Sequence, residues 1–158
     1  MINHLLITKS LIKRRHPGFD FVIFHESPVT VLSKPLKKCT LALVTTGGLH
    51  LKTDTPFDLG LKNGDCSYRI LPGEAVHDKV MVSHKWYNHK FINEDINCVF
   101  PIDRMREYVA AGEIKSLSEE HISFMGHIYD TAPLVKNSLR AGRYLKAMGV
   151  DAAFLTPT

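Results

Sequence analysis

At 158 residues, with a hydrophobic share of 44% and a charged share of 23%, the chain has the make-up of one soluble globular domain with a sizeable core. No apolar run approaches the roughly 20 residues that span a bilayer, so a membrane partner is not expected. The net charge of +4 is concentrated in residues 1–38, which hold Lys9, Lys13, Arg14, Arg15, Lys34, Lys37 and Lys38 against Asp20 and Glu26. No RRM, zinc-finger or helix-turn-helix pattern accompanies that basicity, so it reads as a solvated or partner-binding arm and nucleic acid is not expected as a partner.

Residues 3–15 set Leu5, Leu6, Leu11 and Ile12 around the basic residues, which predicts a modest amphipathic helix ended by His16, Pro17 and Gly18. The start lacks a continuous apolar h-region with a small-residue cleavage site and reads as mature sequence. Pro28 and Pro35 forbid a long helix over residues 19–33, leaving an extended connector. Residues 1–36 are therefore read as a basic N-terminal arm and connector, and residues 37–158 as an α/β domain.

Within that domain, residues 40–50 (TLALVTTGGLH) give a short apolar run closed by two glycines, the pattern of a buried strand feeding a tight turn. Buried strands of this kind belong mostly to parallel sheets, whose ligands meet the loops at the C-terminal strand ends. Thr45, Thr46, Gly47, Gly48 and His50 stand at such an end, as a site or as an ordinary turn. Residues 52–78 are irregular, punctuated by Pro56, Gly60, Gly64, Pro72 and Gly73, with a short strand over 67–71 and aspartates (Asp54, Asp58, Asp65) suited to bonding turn backbone.

A second strand is predicted over 79–84, ending in His84 and followed by Trp86, Tyr87, Asn88 and His89, a candidate pocket wall. Pro101 opens a helix with Ile102, Met105 and Val109 on one face and Gly112 at its end. A third strand over 122–127 ends in Gly126 and His127. Thr131 is read as the cap of the longest helix, with Leu134, Ala141, Leu145 and Met148 inward, and a last strand covers 152–155. Alternating strands and helices predict a three-layer α/β sandwich with a mostly parallel sheet. The four strands 40–45, 79–84, 122–127 and 152–155 are expected as neighbours, bringing His50, His84, His127 and Thr156 to one edge.

The nine histidines show no HxH, HExxH or His-x3-His spacing, and Cys39, Cys66 and Cys98 form no CxxC pair, so no metal site or disulfide framework is expected. A reducing cytoplasm fits this cysteine usage. Thr45 to His50 lacks the third glycine of a dinucleotide fingerprint, and no GxSxG occurs.

The segments LALVTTGGLH, DTPFD, GDCSYRILPG, MVSHKWYNH, DINCVFPIDRMREYVAAGEI, HISFMGHI and GVDAAFLTPT together resemble the glycine/sarcosine/betaine reductase selenoprotein B family, which includes the selenocysteine subunit of D-proline reductase. The resemblance covers roughly residues 28–158. It implies a reductase subunit that cleaves a carbon–nitrogen bond in an amino acid or N-methyl amino acid of the glycine, sarcosine, betaine or D-proline type. It further implies a redox selenocysteine or cysteine just after Thr158, at a UGA codon read as stop, so that the C-terminal helix and strand portion is missing and the 158-residue chain is inactive. His84, His127 and His50 would then be catalytic, the first two as proton donors to the departing amine, and Thr45, Thr46, Gly47, Gly48 and Thr156 would line the substrate. A pyruvoyl group is expected on a partner subunit and a thiol reductant as co-substrate. A sheet face left uncovered would favour a homodimer. The alternative is a non-catalytic α/β module that binds a small ligand or partner at the same edge.

Overall fold

Leu41, Ala42 and Leu43 are fully or almost fully buried, and they make strand β1 (Thr40–Thr45) the centre of the sheet. The structure, a computed structural model, describes residues 4–15, 17–18, 25–26, 29–74, 79–85 and 87–158, the side chains of His4 and Leu5 excepted. Most of the connector expected at 19–33, together with His16, 75–78 and Trp86, lies outside the described residues. Residue contacts divide the chain into two compact units, Met1–Val31 and Leu32–Thr158. The first holds helix α1 (His4–Arg15); everything below concerns the second.

Strand β2 (Leu49–Leu51) follows β1, and β3 (Tyr68–Pro72) and β4 (Val80–Val82) come next. Helices α2 (Lys90–Glu94) and α3 (Ile102–Ala110) precede β5 (Ser116–Leu117) and β6 (Glu120–Phe124), and helix α4 (Thr131–Ala147) leads into β7 (Ala152–Thr156). β7 runs parallel to β1 along its length, from Leu41 opposite Ala152 to Thr45 opposite Thr156. On the other side β1 pairs in parallel with β5 at its start and with β6 at its end, and β3 closes that flank antiparallel to β6. His121 explains why β5 and β6 read as one interrupted strand: its Nδ1 accepts the Leu43 N–H at 3.0 Å, taking the place of a backbone carbonyl.

Side chains alternate across this sheet. Leu41, Leu43 and Leu71 pack with Phe100, Ile102 and Met105 beneath α2 and α3, while Ala42, Ile122 and Phe124 pack with Ala141 and Leu145 of α4. The result is the expected three-layer α/β arrangement with a mostly parallel sheet.

Three local expectations are corrected. β4 does not join the main sheet but pairs antiparallel with β2, Leu49 opposite Val82, as a separate ribbon. β6 ends at Phe124, so Gly126 and His127 lie in the following loop. α4 is capped by Asp130, whose Oδ1 accepts the Ala132 N–H at 3.0 Å, and not by Thr131.

Candidate functional site

The C-terminal ends of β1, β6 and β7 meet at a small polar edge. Thr46 follows β1, and its N–H donates to the Thr156 carbonyl at 3.1 Å, extending the β1–β7 ladder by one bond. Its hydroxyl accepts the Thr158 N–H at 3.0 Å, and the Thr158 hydroxyl donates to the Thr46 carbonyl at 3.0 Å. The end of β7 is thereby fixed against the Thr-Thr-Gly-Gly turn.

That turn is shaped by close approach. Gly48 has φ of +69°, and a Cβ there would collide with the Ser83 carbonyl; its N–H donates to Phe124 O at 2.9 Å while its own carbonyl accepts the Ser83 N–H at 2.8 Å. Through this one residue the ribbon is tied to the sheet, which places His84 at the strand ends even though β4 is outside the sheet.

His84 Nδ1 donates to the Lys85 carbonyl, and the His84 carbonyl accepts from His89 Nε2 at 3.1 Å. The Tyr87 ring lies 4.6 Å from that of His84 and 4.8 Å from that of His89, and the Tyr87 hydroxyl donates to the Gly47 carbonyl at 2.8 Å. Burial foremost holds the His84 pKa below its ordinary 6.5, with the neighbouring His127 and His89 adding in the same direction. Burial also pushes the Tyr87 phenol up to about 12. His84 Nε2 is shielded from solvent and has no hydrogen-bond partner among the described residues. It occupies the space beside Gly126, where an added Cβ would lie 2.8 Å from Nε2, 3.0 Å from the Thr46 carbonyl and 3.2 Å from the Thr158 hydroxyl. His127 stacks edge-on against Tyr129 at 4.7 Å.

Thr46, Gly47, Gly48, His84, His127 and Thr156 are thus gathered at or beside one edge. Thr45 is fully buried and, like Thr156, spends its hydroxyl on the Val99 carbonyl, at 2.7 and 2.8 Å. His50 is also buried, with Nδ1 bonded to Leu51 O at 2.8 Å and Nε2 to Ser83 Oγ at 2.9 Å, so both ring nitrogens are committed within the ribbon. The sequence offered Tyr87 and His89 only as a candidate pocket wall and gave no site role to Gly126 or Thr158.

A cavity of about 640 Å³ opens beside the edge, between α4 and β7, with Thr46 and Gly126 at its rim and Phe124, Ala141, Leu145 and Leu155 in its walls. None of its described lining side chains is charged. Among the described residues no three His, Cys, Asp or Glu side chains group so as to hold a metal ion. No described helix is long and apolar enough to cross a membrane. Cys39, Cys66 and Cys98 are free and stand on other segments; burial foremost, then the Asp130 and Asp65 charges, push the Cys66 thiol up.

Residues 8–158 match the family described as glycine/sarcosine/betaine reductase selenoprotein B. The chain is 44% identical over 128 residues to the D-proline reductase subunit gamma of Acetoanaerobium sticklandii, covering 80% of this chain and 52% of that protein. It is 31% identical over 144 residues to the glycine reductase complex component B subunit gamma of Carboxydothermus hydrogenoformans, covering 90% of this chain and 32% of the relative. The subunit of the same name from Symbiobacterium thermophilum is 27% identical over 150 residues, with the same two coverages of 90% and 32%. The chain therefore spans about half the length of the first relative and about a third of the other two. No solved structure matches it.

Proposed function

Because the chain belongs to the glycine/sarcosine/betaine reductase selenoprotein B family, we propose that it is part of a reductase-complex subunit that cleaves the carbon–nitrogen bond of an amino acid or N-methyl amino acid. The names of its relatives, D-proline reductase and glycine reductase subunits, support a partner-dependent reductase. In this reading a selenocysteine or cysteine follows Thr158, and a partner subunit carries a pyruvoyl group that activates the substrate amine. The chalcogen would supply the nucleophile that displaces the amine.

The observation that carries the proposal is the convergence on the end of β7: a glycine with no side chain, two threonines that fix the strand end, and one buried imidazole nitrogen without a hydrogen-bond partner among the described residues. Such a nitrogen is a poor structural element, because burying an unsatisfied polar atom costs about 1–3 kcal/mol. It is well suited to a group that handles a proton only during turnover. The absent side chain of Gly126 lets His84 Nε2, the Thr46 carbonyl and the Thr158 hydroxyl close together around one point, and Thr46 and Thr158 hold the chain that would present the chalcogen.

The test is turnover. A form extended past Thr158, with selenocysteine or cysteine at the next position, is expected to consume D-proline, glycine, sarcosine or betaine when supplied with a pyruvoyl-containing partner subunit and a dithiol. The 158-residue chain is expected to consume none of them, since loss of a nucleophile commonly removes most of the rate. Turnover by the 158-residue chain alone would move the redox residue inside it, to one of the three cysteines. Failure of the extended form with every substrate would favour a binding module.

A further inference from the structure

We propose that His84 is the proton acceptor of this edge, a neutral imidazole fixed as its Nδ1–H tautomer with the Nε2 lone pair turned toward Gly126 and the end of β7, and that Tyr87 is the residue that positions it. The tautomer stands on geometry; only the source of the proton rests on the reductase reading.

The Lys85 carbonyl can only accept, so the nitrogen bonded to it, Nδ1, must carry the hydrogen. In a neutral imidazole the other nitrogen is then a bare acceptor. Nothing among the described residues donates to it. The Thr158 hydroxyl, which like Nε2 borders the space at Gly126, is committed to the Thr46 carbonyl at 3.0 Å. His84 cannot turn away easily: its ring packs on Tyr87 at 4.6 Å, and its own carbonyl is held by His89. Tyr87 is anchored in turn by the 2.8 Å bond from its hydroxyl to the Gly47 carbonyl, so one side chain braces both the turn and the imidazole ring.

The titratable groups facing His84 are Tyr87 and His89 from its own segment and His127 from the loop after β6. Tyr87 stays neutral, and burial together with the two histidines disfavours a charged His84. At neutral pH the ring is thus poised to receive a proton and not to give one. His84 takes the proton of a thiol or selenol at Nε2, the electron pair of the broken bond remaining on the chalcogen. The chalcogenolate uses that pair to bond to the substrate carbon as the carbon–nitrogen bond breaks; the nitrogen keeps the old bonding pair, and His84 returns the proton to it. His84 is therefore a base first and the donor expected from the sequence second.

Long-range proton–nitrogen NMR on the 15N-labelled 158-residue chain reads this directly. We expect His84 to show a protonated Nδ1, a bare Nε2 and a titration midpoint below 6.5. Tyr87→Phe is expected to keep the fold but mix the tautomers and shift the midpoint upward. A predominant Nε2–H form, or a midpoint at or above the ordinary value, would overturn the assignment. As a second reading, Thr158→Cys puts a thiol at the edge; its alkylation by iodoacetamide at pH 7 should be about tenfold faster than in the Thr158→Cys, His84→Gln double variant. Equal rates would also overturn it. Neither readout depends on amino-acid reduction, so a failed turnover assay leaves this inference standing, and a wrong tautomer leaves the reductase reading standing.

Discussion

The Val99 carbonyl takes the hydroxyls of both Thr45 and Thr156, residues from two paired strands, and that shared acceptor explains why two polar side chains at a strand end are structural. No spacing rule in the sequence could have revealed it, because Val99 lies 54 residues from Thr45 and its side chain carries no polar group. The sequence put His84 and His127 at strand ends, and both lie in the loops just beyond β4 and β6; His50 was read the same way, yet the turn sends its ring into the ribbon. His121 is the residue whose chemistry the sequence hid most completely, since it directly follows Glu119 and Glu120 and reads as the polar start of a strand. It is fully buried, its Nδ1 accepts from Leu43, and burial foremost, then the Arg106 charge, depress its pKa from 6.5 to about 4. Between those two values the unfolded chain binds a proton at His121 that the folded chain excludes. Stability must therefore fall as pH falls through that window, by roughly 3 kcal/mol in all from this group. Urea midpoints at pH 7, 5.5 and 4.5 should show the decline, and His121→Gln should flatten it while lowering stability at pH 7. An unchanged slope in that variant would assign the acid sensitivity to other groups.

At the scale of elements, β1, β6, β7, α3 and α4 were readable because each has a length and a period that burial on one or two faces imposes. The ribbon was not. A three-residue apolar run such as Val80–Val82 specifies a strand without specifying its neighbour, and β2 follows β1 too closely to be told from a turn. β5, two residues long, carries no pattern at all. What decides the ribbon's place is Gly48, through its left-handed backbone and its bonds to Phe124 and Ser83. Gly48→Ala would impose φ strain and a contact with the Ser83 carbonyl at once. We expect a loss of about 2–4 kcal/mol in chemical denaturation, and displacement of His84 seen as a change in its imidazole resonances. A variant of wild-type stability would mean that the ribbon, and with it the placement of His84, is independent of the turn.

At the scale of the whole molecule, the sheet is unevenly finished. β3 and β6 are covered on the α4 side, but β7 pairs only with β1 among the described residues, and Phe154 and Leu155 on it are 45% and 67% exposed. Val135 and Leu139 on α4 are exposed as well, at 58% and 57%. An edge strand with unpaired backbone groups and apolar side chains is a template for another strand, and a contiguous apolar face adds roughly 25 cal/mol for each Å² it buries. The chain is therefore expected to self-associate with rising concentration through β7, by antiparallel pairing of two copies. Leu155→Lys should oppose this, since a lysine on an edge strand faces the incoming strand with a charge. Because Leu155 is already largely exposed, the same change should leave the melting temperature of the monomer nearly untouched, within about 0.5 kcal/mol in stability. Sedimentation velocity across a hundredfold range of concentration distinguishes the outcomes. Association that weakens in Leu155→Lys locates the interface at β7; association that persists there moves it to another surface, and a monomer throughout would show that the open edge is protected by its own twist and by the short length of β7.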